Sequence, residues 1–293
     1  MKEKTKGLVF NLVLYTVALG AGIAAVAAID DVFLAEAALT LTGTLVIFAV
    51  TCVIPDTSLY DPYWSVAPPV MIIAAMIKYR LAGPNAVLTL AVVLIWSVRL
   101  TANWAITYKG LRSEDWRYRM YREKLGRSGF FFVNLFGLQL VPTIAVYAGL
   151  VAAFFTVMSP GFTPLITPGL AVSVAGAVIE YIADTSIHGF LREGSGTTCD
   201  VSLWKYSRHP NYLGEITFWT GIFLSFLAVR PDIWYYGLGF LLIVAIFLFI
   251  SIPMMEKHNA ERRPDYAAYK ERTPVLIPFR IKKTEGPDGD FPE

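Results

Sequence analysis

The chain has 293 residues, of which 55% are hydrophobic and 16% are charged. Soluble domains carry close to a quarter of charged residues, so this composition indicates an integral membrane protein and excludes an ordinary soluble domain. A formal net charge of only +2 argues against a nucleic-acid partner. Two cysteines and three histidines in separate segments predict neither a disulfide framework nor a metal site. These residues are Cys52, Cys199, His188, His209 and His258.

Apolar runs follow one another along the whole chain, and eight of them approach the roughly 20 residues that a bilayer requires. The third run is the shortest, with Pro68 and Pro69 at its start and Lys78 and Arg80 at its end. Because the runs are continuous rather than alternating, they predict an all-α, polytopic membrane bundle of about eight transmembrane helices. The runs cover residues 8–28, 35–55, 65–81, 85–107, 130–157, 167–190, 212–229 and 233–253.

The basic residues outside these runs predict the orientation of the bundle. They are concentrated before the first run, in the 109–128 loop and after the last run. The positive-inside rule places all three regions in the cytoplasm, and an even number of helices likewise puts both termini on one side. On this topology the 56–64 and 191–211 loops also face the cytoplasm. The two basic residues that close the third run, Lys78 and Arg80, oppose the assignment.

The domain organisation follows from the same runs. Three lysines precede the first run in the manner of a signal peptide, but the run is long enough to span and we expect it to be retained. Residues 1–283 are predicted to form a single membrane-embedded domain. Residues 284–293 are polar, contain glycine and proline, and are predicted to be disordered.

A cluster of aromatic and polar residues, 60–65, stands just before the third run. Trp and Tyr at a helix end are the ordinary interfacial belt of a membrane protein, which accounts for Tyr60, Tyr63 and Trp64. It does not account for Asp61, where burial would raise the pKa of the carboxyl. A protonated carboxyl donates a hydrogen bond to a substrate carbonyl, so a catalytic and a structural interpretation of Asp61 both remain open.

Charged and polar side chains also fall inside two of the apolar runs. Arg99 and Asn103 share one face of the fourth run, and Glu180, Asp184 and His188 form one stripe along the sixth. Charged groups within a membrane helix are costly unless they face a bundle interior or a polar cavity. The two runs therefore predict a polar wall inside the bundle.

The most informative segment is residues 203–215, LWKYSRHPNYLGE, a dense polar stretch between two apolar runs. Arginine binds phosphate through its planar fork, which makes Arg192 and Arg208 the leading candidates for a phosphate-bearing cofactor. Asn211 and Glu215 could hold a carboxamide or ribose hydroxyls. No GxGxxG motif is present, so any dinucleotide would bind outside a Rossmann fold. Flat faces for a nucleobase or nicotinamide are offered by Trp204, Tyr206 and Tyr212.

Taken together, these clusters resemble the steroid 5-alpha-reductase superfamily, and most closely its bacterial-type branch of unknown function. The resemblance covers roughly residues 40–280. Sterol reductases and isoprenylcysteine or phospholipid methyltransferases carry similar segments, so the resemblance is specific to a superfamily rather than to one reaction. The matching segments are 60–65, Arg99 with Asn103 and Trp104, 114–118, Asp184, 207–215 and 269–278.

The resemblance implies an NADPH site in the C-terminal half and a lipid-accessible substrate cavity formed by the N-terminal helices. A carboxylate and a tyrosine would polarise an enone carbonyl there. No metal is implied. The residues that the resemblance implies for the cofactor site are Asp184, Arg192, Tyr206, Arg208, His209, Asn211, Glu215 and His258. Beside them we expect Trp204, Ser207, Tyr212 and Tyr269 at the same site.

Asp61 falls where these reductases place a catalytic carboxylate. Trp96 stands at the matching tyrosine position, so Tyr60 or Tyr63 would have to supply the phenol. The substrate is expected to contact Trp64, Trp96, Arg99 and Asn103.

The sequence thus favours a membrane NADPH-dependent reductase of a carbon–carbon double bond in a steroid-, isoprenoid- or lipid-like substrate, with its active site on the cytoplasmic side. The alternative is an S-adenosylmethionine-dependent methyltransferase of lipid or prenyl groups. A non-enzymatic lipid-binding protein is the third interpretation. Binding of NADPH, of S-adenosylmethionine or of neither would separate the three.

Overall fold

The computed structural model describes residues 2–194 and 196–278, and every regular element within them is helical. The predicted all-α membrane class is confirmed. The predicted disordered segment, 284–293, lies outside the described residues. The helices are α1 (Glu3–Val26), α2 (Val32–Val53), α3 (Tyr63–Lys78), α4 (Pro84–Thr107), α5 (Trp116–Phe132), α6 (Val141–Met158), α7 (Ile166–Glu193), α8 (Pro210–Val229), α9 (Phe240–Ile246), α10 (Ile252–Arg262) and α11 (Tyr266–Arg272).

Two long helical segments are built from several of these helices. The stretch Val133–Leu140 is π-helical and joins α5 to α6, which makes Trp116–Met158 one continuous segment. A second π-helical stretch, Phe247–Ser251, joins α9 to α10 within Pro231–Arg262. Within the described part of the chain, seven helical segments are long and apolar enough to cross a membrane. Helix α3, with 16 residues, corresponds to the third and shortest of the eight predicted runs and is not among these seven.

Helix α3 nevertheless runs between the two ends of the bundle. Its first residues follow Asp61, which hydrogen-bonds Tyr118 of α5. At its last residue Lys78 donates to the carbonyl of Val26, at the far end of α1. Contrary to the expectation that the prolines open this run, Pro68 and Pro69 lie inside the helix, because α3 begins earlier, directly after Pro62.

Both ends of the described chain meet at one end of the bundle, here called the site end. Lys4 donates to the carbonyl of Ile106 at the end of α4, 2.9 Å away. In the C-terminal region His258 stacks on Trp116, with 3.7 Å between ring centroids. This arrangement agrees with the predicted placement of both termini on one side of a membrane. That this side is cytoplasmic stays a prediction.

Helices α7 and α8 pack exceptionally closely because glycines remove the side chains between them. A Cβ atom at Gly176 would overlap the backbone of Gly214 and Phe218, and one at Gly221 would overlap the backbone of Ser173. Small residues at a helix interface allow this approach in membrane proteins. The close pair fixes Glu180 on α7 against the start of α8, where the 203–215 segment ends.

Candidate functional site

Two loops that are distant in sequence are locked together at the site end. Asp56 accepts a hydrogen bond from the backbone N–H of Arg112 at 2.7 Å. Glu114 accepts from the backbone N–H of Thr57 at 3.0 Å, and the N–H of Asp115 donates to the Ser58 hydroxyl at 2.9 Å. These bonds satisfy backbone groups that regular structure leaves free. They also bring the start of α5 against the start of α3.

A cavity of about 470 Å³ opens between the N-terminal and C-terminal helices at this end. Its size is that of a small-molecule site. It is lined by residues of α3 to α9 and of both π-helical stretches, and we call it the central cavity. The predicted site residues that line it are Tyr60, Asp61, Trp64, Asn103, Asp184, Asn211, Tyr212 and Glu215.

Asp61 forms a hydrogen-bonded pair with Tyr118 in the central cavity. Its Oδ1 accepts a hydrogen bond from the hydroxyl of Tyr118. Burial raises the pKa of Asp61 to about 7, although the nearby Arg117 and the bond from Tyr118 both act to lower it. Arg117 itself donates to Asp115 at 2.8 Å. The carboxyl is therefore partly protonated near neutral pH.

The phenol beside Asp61 is thus Tyr118 and neither of the tyrosines proposed from sequence. The hydroxyl of Tyr60 lies 2.7 Å from that of Thr143, and Tyr63 donates to the carbonyl of Thr40 at 3.0 Å in the core. Tyr60 still lines the central cavity, whereas Tyr63 does not. The sequence contains Tyr118 within the family-like 114–118 segment, but no local signal places it opposite Asp61.

The polar wall expected along α4 and α7 is present as an ion-pair network. Arg99 binds Glu180, and its Nη1 donates to Asp184 at 2.8 Å. Both carboxylates line the central cavity, while Arg99 lies behind them. Arg99 Nε and Glu180 Oε1 are buried without a hydrogen-bond partner among the described residues. Buried polar atoms without a partner are exceptions in native structures, and water or a ligand is their usual missing partner.

Trp96 lies behind the cavity wall, where it cannot act as the missing tyrosine. Its side chain is fully buried, and its indole N–H donates to Glu215 at 2.9 Å. Trp219 donates to the other oxygen of the same carboxylate at 2.8 Å. The two indoles therefore fix Glu215 in the floor of the central cavity. Next to it, Asn211 Oδ1 is buried without a partner in the described chain.

Arg208 holds the C-terminal segment in place. Its guanidinium donates to Glu256 at 2.6 Å and to the carbonyl of Thr273 at 2.6 Å, and its backbone N–H donates to the carbonyl of Pro274. His209 lies 3.2 Å from the same Glu256 carboxylate. Neither Arg208 nor His209 lines the central cavity. The sequence alone does not indicate that the guanidinium of Arg208 is paired with the carboxylate of Glu256.

The other residues expected at a cofactor lie around this clamp. Tyr269 donates to the carbonyl of Trp204 at 2.6 Å, and the indole of Trp204 donates to Ala183 at 2.9 Å. The Ser207 hydroxyl bonds the carbonyl of Val275. The side chain of Tyr206 is 61% exposed at the surface. The structure therefore gathers these residues at the site end but outside the central cavity.

A smaller groove of about 250 Å³ lies beside the central cavity, and we call it the basic groove. His258, Arg262 and Arg263 line one side of it, and residues near the end of α7 line the other. The ring of His258 stacks on Trp116, the neighbour of the cavity residue Arg117. Arg192 is exposed on the same end of α7. Within the described residues no cluster of three metal-ligating side chains occurs.

Comparison with known proteins gives one match. A family described as "Protein of unknown function (DUF1295)" matches residues 47–273. The chain belongs to this family. The family is part of the steroid 5-alpha-reductase-like group. No curated protein and no solved structure matches the chain.

Proposed function

We propose that the protein is a membrane reductase that uses NADPH to reduce a carbon–carbon double bond conjugated to a carbonyl in a hydrophobic molecule. The observation that carries the proposal is the pair of Asp61 and Tyr118 in the central cavity. Tyr118 engages Oδ1 of Asp61, and Oδ2 accepts no hydrogen bond from the described residues. A protonated Oδ2 can therefore donate to a substrate carbonyl and stabilise the charge that develops on it.

The residues present fit the cofactor in two parts. The orphaned Oδ1 of Asn211 suits the amide of a nicotinamide, and the flat ring of Tyr212 lies beside it in the cavity wall. Phosphates do not suit the central cavity, which is lined by five carboxylates and one arginine. They suit the basic groove, which Arg262 and Arg263 line, with Arg263 Nη1 also donating to the carbonyl of Thr197 at 2.6 Å. When bound, NADPH supplies the hydride that the reduction needs.

The chain's own residues then position the substrate and exclude water. Asp61 orients the carbonyl, and the apolar side chains of the central cavity enclose the rest of the molecule. Tyr118 holds the carboxyl in place through its hydroxyl. As hydride adds to the β-carbon, the carboxyl of Asp61 would give its proton to the carbonyl oxygen, and tautomerisation of the resulting enol would complete the reduction. Asp61 would then regain a proton from water, so the protein supplies positioning and the proton while the cofactor supplies the hydride.

A second candidate is favoured by the charge of the central cavity. The five carboxylates are Asp61, Asp115, Glu180, Asp184 and Glu215. A cavity so acidic would also attract the positively charged sulfonium of S-adenosylmethionine. The second candidate is therefore a methyltransferase of lipidic acceptors.

Titration calorimetry on detergent-purified protein separates the two candidates. We expect NADPH to bind and S-adenosylmethionine not to bind. Replacing Arg262 and Arg263 together by glutamine should weaken NADPH binding by about tenfold or more, since each removes a charge-assisted contact. Arg230→Gln is the matched control, because Arg230 pairs with Asp232 in the loop after α8, at the far end of the bundle. Binding of S-adenosylmethionine alone would establish the methyltransferase, and binding of neither would remove both candidates.

A further inference from the structure

A second apolar cavity of about 530 Å³ lies between α4 and α7, and we call it the lateral groove. Its walls include Leu94, Ile95 and Val98 from α4 and Tyr181 from α7. These side chains are exposed in the isolated chain, Val98 by 62% and Tyr181 by 60%. Both helices are long and apolar enough to cross a membrane. The lateral groove therefore opens toward the hydrocarbon of a bilayer.

The lateral groove and the central cavity share a wall. Asn103 and Asp184 line both of them. Arg99 lines the lateral groove, is nine-tenths buried, and ion-pairs with Asp184 across this wall. Its Nε has no hydrogen-bond partner in the described chain. Between a lipid-facing groove and a catalytic cavity there is thus a single layer of polar side chains.

The lateral groove is apolar at one end and polar at the other. From Leu94 to Ile106 it extends about 18 Å along α4 at 1.5 Å per residue, against about 15 Å for the hydrocarbon of one leaflet. Most of its polar residues lie toward the site end beside Ile106, and Arg99 lies between the two ends. The polar residues at the site end are Asn103, Asp184, Thr185 and His188. An amphiphile of the leaflet at the site end has the same polarity, with its polar group at that end and its chain toward the bilayer centre.

We propose that the lateral groove binds the extended hydrocarbon chain of a single-chain amphiphile and presents its polar group to Asn103 and Asp184. The identification of this amphiphile as the substrate rests on the proposed function. Binding in the groove does not. The groove then delivers the polar end through the shared wall into the central cavity, while the chain stays between α4 and α7. The substrate class is an acyl or linear isoprenoid chain bearing a carbonyl.

Photolabelling tests the groove without reference to turnover. The probe is hexadecanol carrying a diazirine at the chain end, added to the full-length protein in lipid nanodiscs, with labelled peptides identified by mass spectrometry. Because the chain end lies toward the bilayer centre, we expect labelling to concentrate around Leu94, Ile95, Val98 and Tyr181. Val98→Trp fills the groove from an exposed position and should lower that labelling by about tenfold. Val87→Trp, on an exposed position of α4 outside the groove, should leave it unchanged.

Ala102→Trp provides a second blocking variant at another exposed position of the groove, and thermal unfolding shows that each variant is folded. Unlabelled hexadecanol should compete with the probe, and cholesterol should not. Labelling spread evenly over all lipid-facing helices would show annular lipid only and would overturn the proposal. Competition by cholesterol alone would overturn the single-chain assignment. If NADPH fails to bind while groove labelling persists, the proposed function is wrong and the groove assignment stands.

Discussion

Asp61 differs from the other carboxylates of the central cavity in the group that faces it. Asp184 is neutralised by Arg99, and Glu215 is held by two indole N–H groups. Asp61 faces the hydroxyl of Tyr118, which is a neutral donor. With burial raising its pKa to about 7, Asp61 gains and loses a proton near neutral pH.

Replacing Asp61 by asparagine should lower turnover by about a hundredfold to a thousandfold, because a strong donor to the substrate carbonyl is lost. NADPH affinity should stay unchanged. In the unmodified protein the active form is the protonated one, so kcat/KM should be constant below pH about 7 and fall by about tenfold per pH unit above it. Three measurements check these expectations: the turnover of Asp61→Asn, its NADPH affinity, and the pH profile of kcat/KM for the unmodified protein. Full turnover by Asp61→Asn would reduce the residue to a structural role.

Tyr118→Phe should lower turnover and move the alkaline limb of the same profile to higher pH. The hydrogen bond from Tyr118 lowers the pKa of Asp61, so its loss allows that pKa to rise further. Tyr60→Phe and Tyr63→Phe serve as controls, because their hydroxyls bond Thr143 and Thr40. If one of these controls shifts the alkaline limb of the kcat/KM profile and Tyr118→Phe does not, the assignment of Tyr118 as the partner of Asp61 is wrong.

At the scale of elements, the clamp around Glu256 joins α10 to the segment that follows α11. Glu256 receives Arg208, Lys270 and Tyr266, the last at 3.1 Å. Glu256→Ala should destabilise the protein by about 3–5 kcal/mol, because it leaves the buried charge of Arg208 unpaired. Thermal unfolding in detergent measures the loss. The exposed neighbour Lys257→Ala should be neutral, and an equal loss there would show that the clamp has no special role.

Helix α2 contains a carboxyl for which the proposed chemistry has no use. Glu36 is fully buried, and both of its oxygens are without a hydrogen-bond partner among the described residues. Removing the polar group by Glu36→Met should therefore stabilise the protein by about 1–3 kcal/mol. Asp31→Ala should act in the opposite direction, because Asp31 caps the same helix through Leu34. The thermal unfolding midpoints of both variants test these two expectations. A loss of stability in Glu36→Met would contradict the first and would indicate that a ligand binds the Glu36 carboxyl.

At the scale of the whole molecule, the sequence predicted the helices better than their contacts. Run length and loop charge depend on local composition, so they indicated the all-α class and the grouping of the polar loops. The bond between Asp61 and Tyr118 joins residues 57 positions apart, and nothing in either segment specifies the pairing. Arg208 likewise looked free for a phosphate until its partner Glu256 was located 48 residues away. Roles of individual side chains therefore required the packed structure.

The course of α3 leads to a prediction about the whole bundle. Because this helix connects the two ends, the described N- and C-terminal residues lie at the same end. Reporters fused before α1 and after residue 278 should therefore give the same signal, and a reporter in the loop between α1 and α2 the opposite one. Unlike signals from the two termini would mean that α3 does not cross the membrane.

The glycine-mediated contact between α7 and α8 has a mechanical consequence. It makes the side of the central cavity that carries Glu180 and Glu215 stiff, since two backbones in direct contact leave no side chain to rearrange. The facing side contains Leu138 and Phe247, both in π-helical stretches, a rare backbone form that is frequent at functional sites. We therefore expect local opening to occur on this side of the cavity only. Amide hydrogen exchange should be faster in the two π-helical stretches than in α7 and α8. The flexible side would adapt to ligands of different width, while Glu180 and Glu215 on the rigid side keep the distance between them.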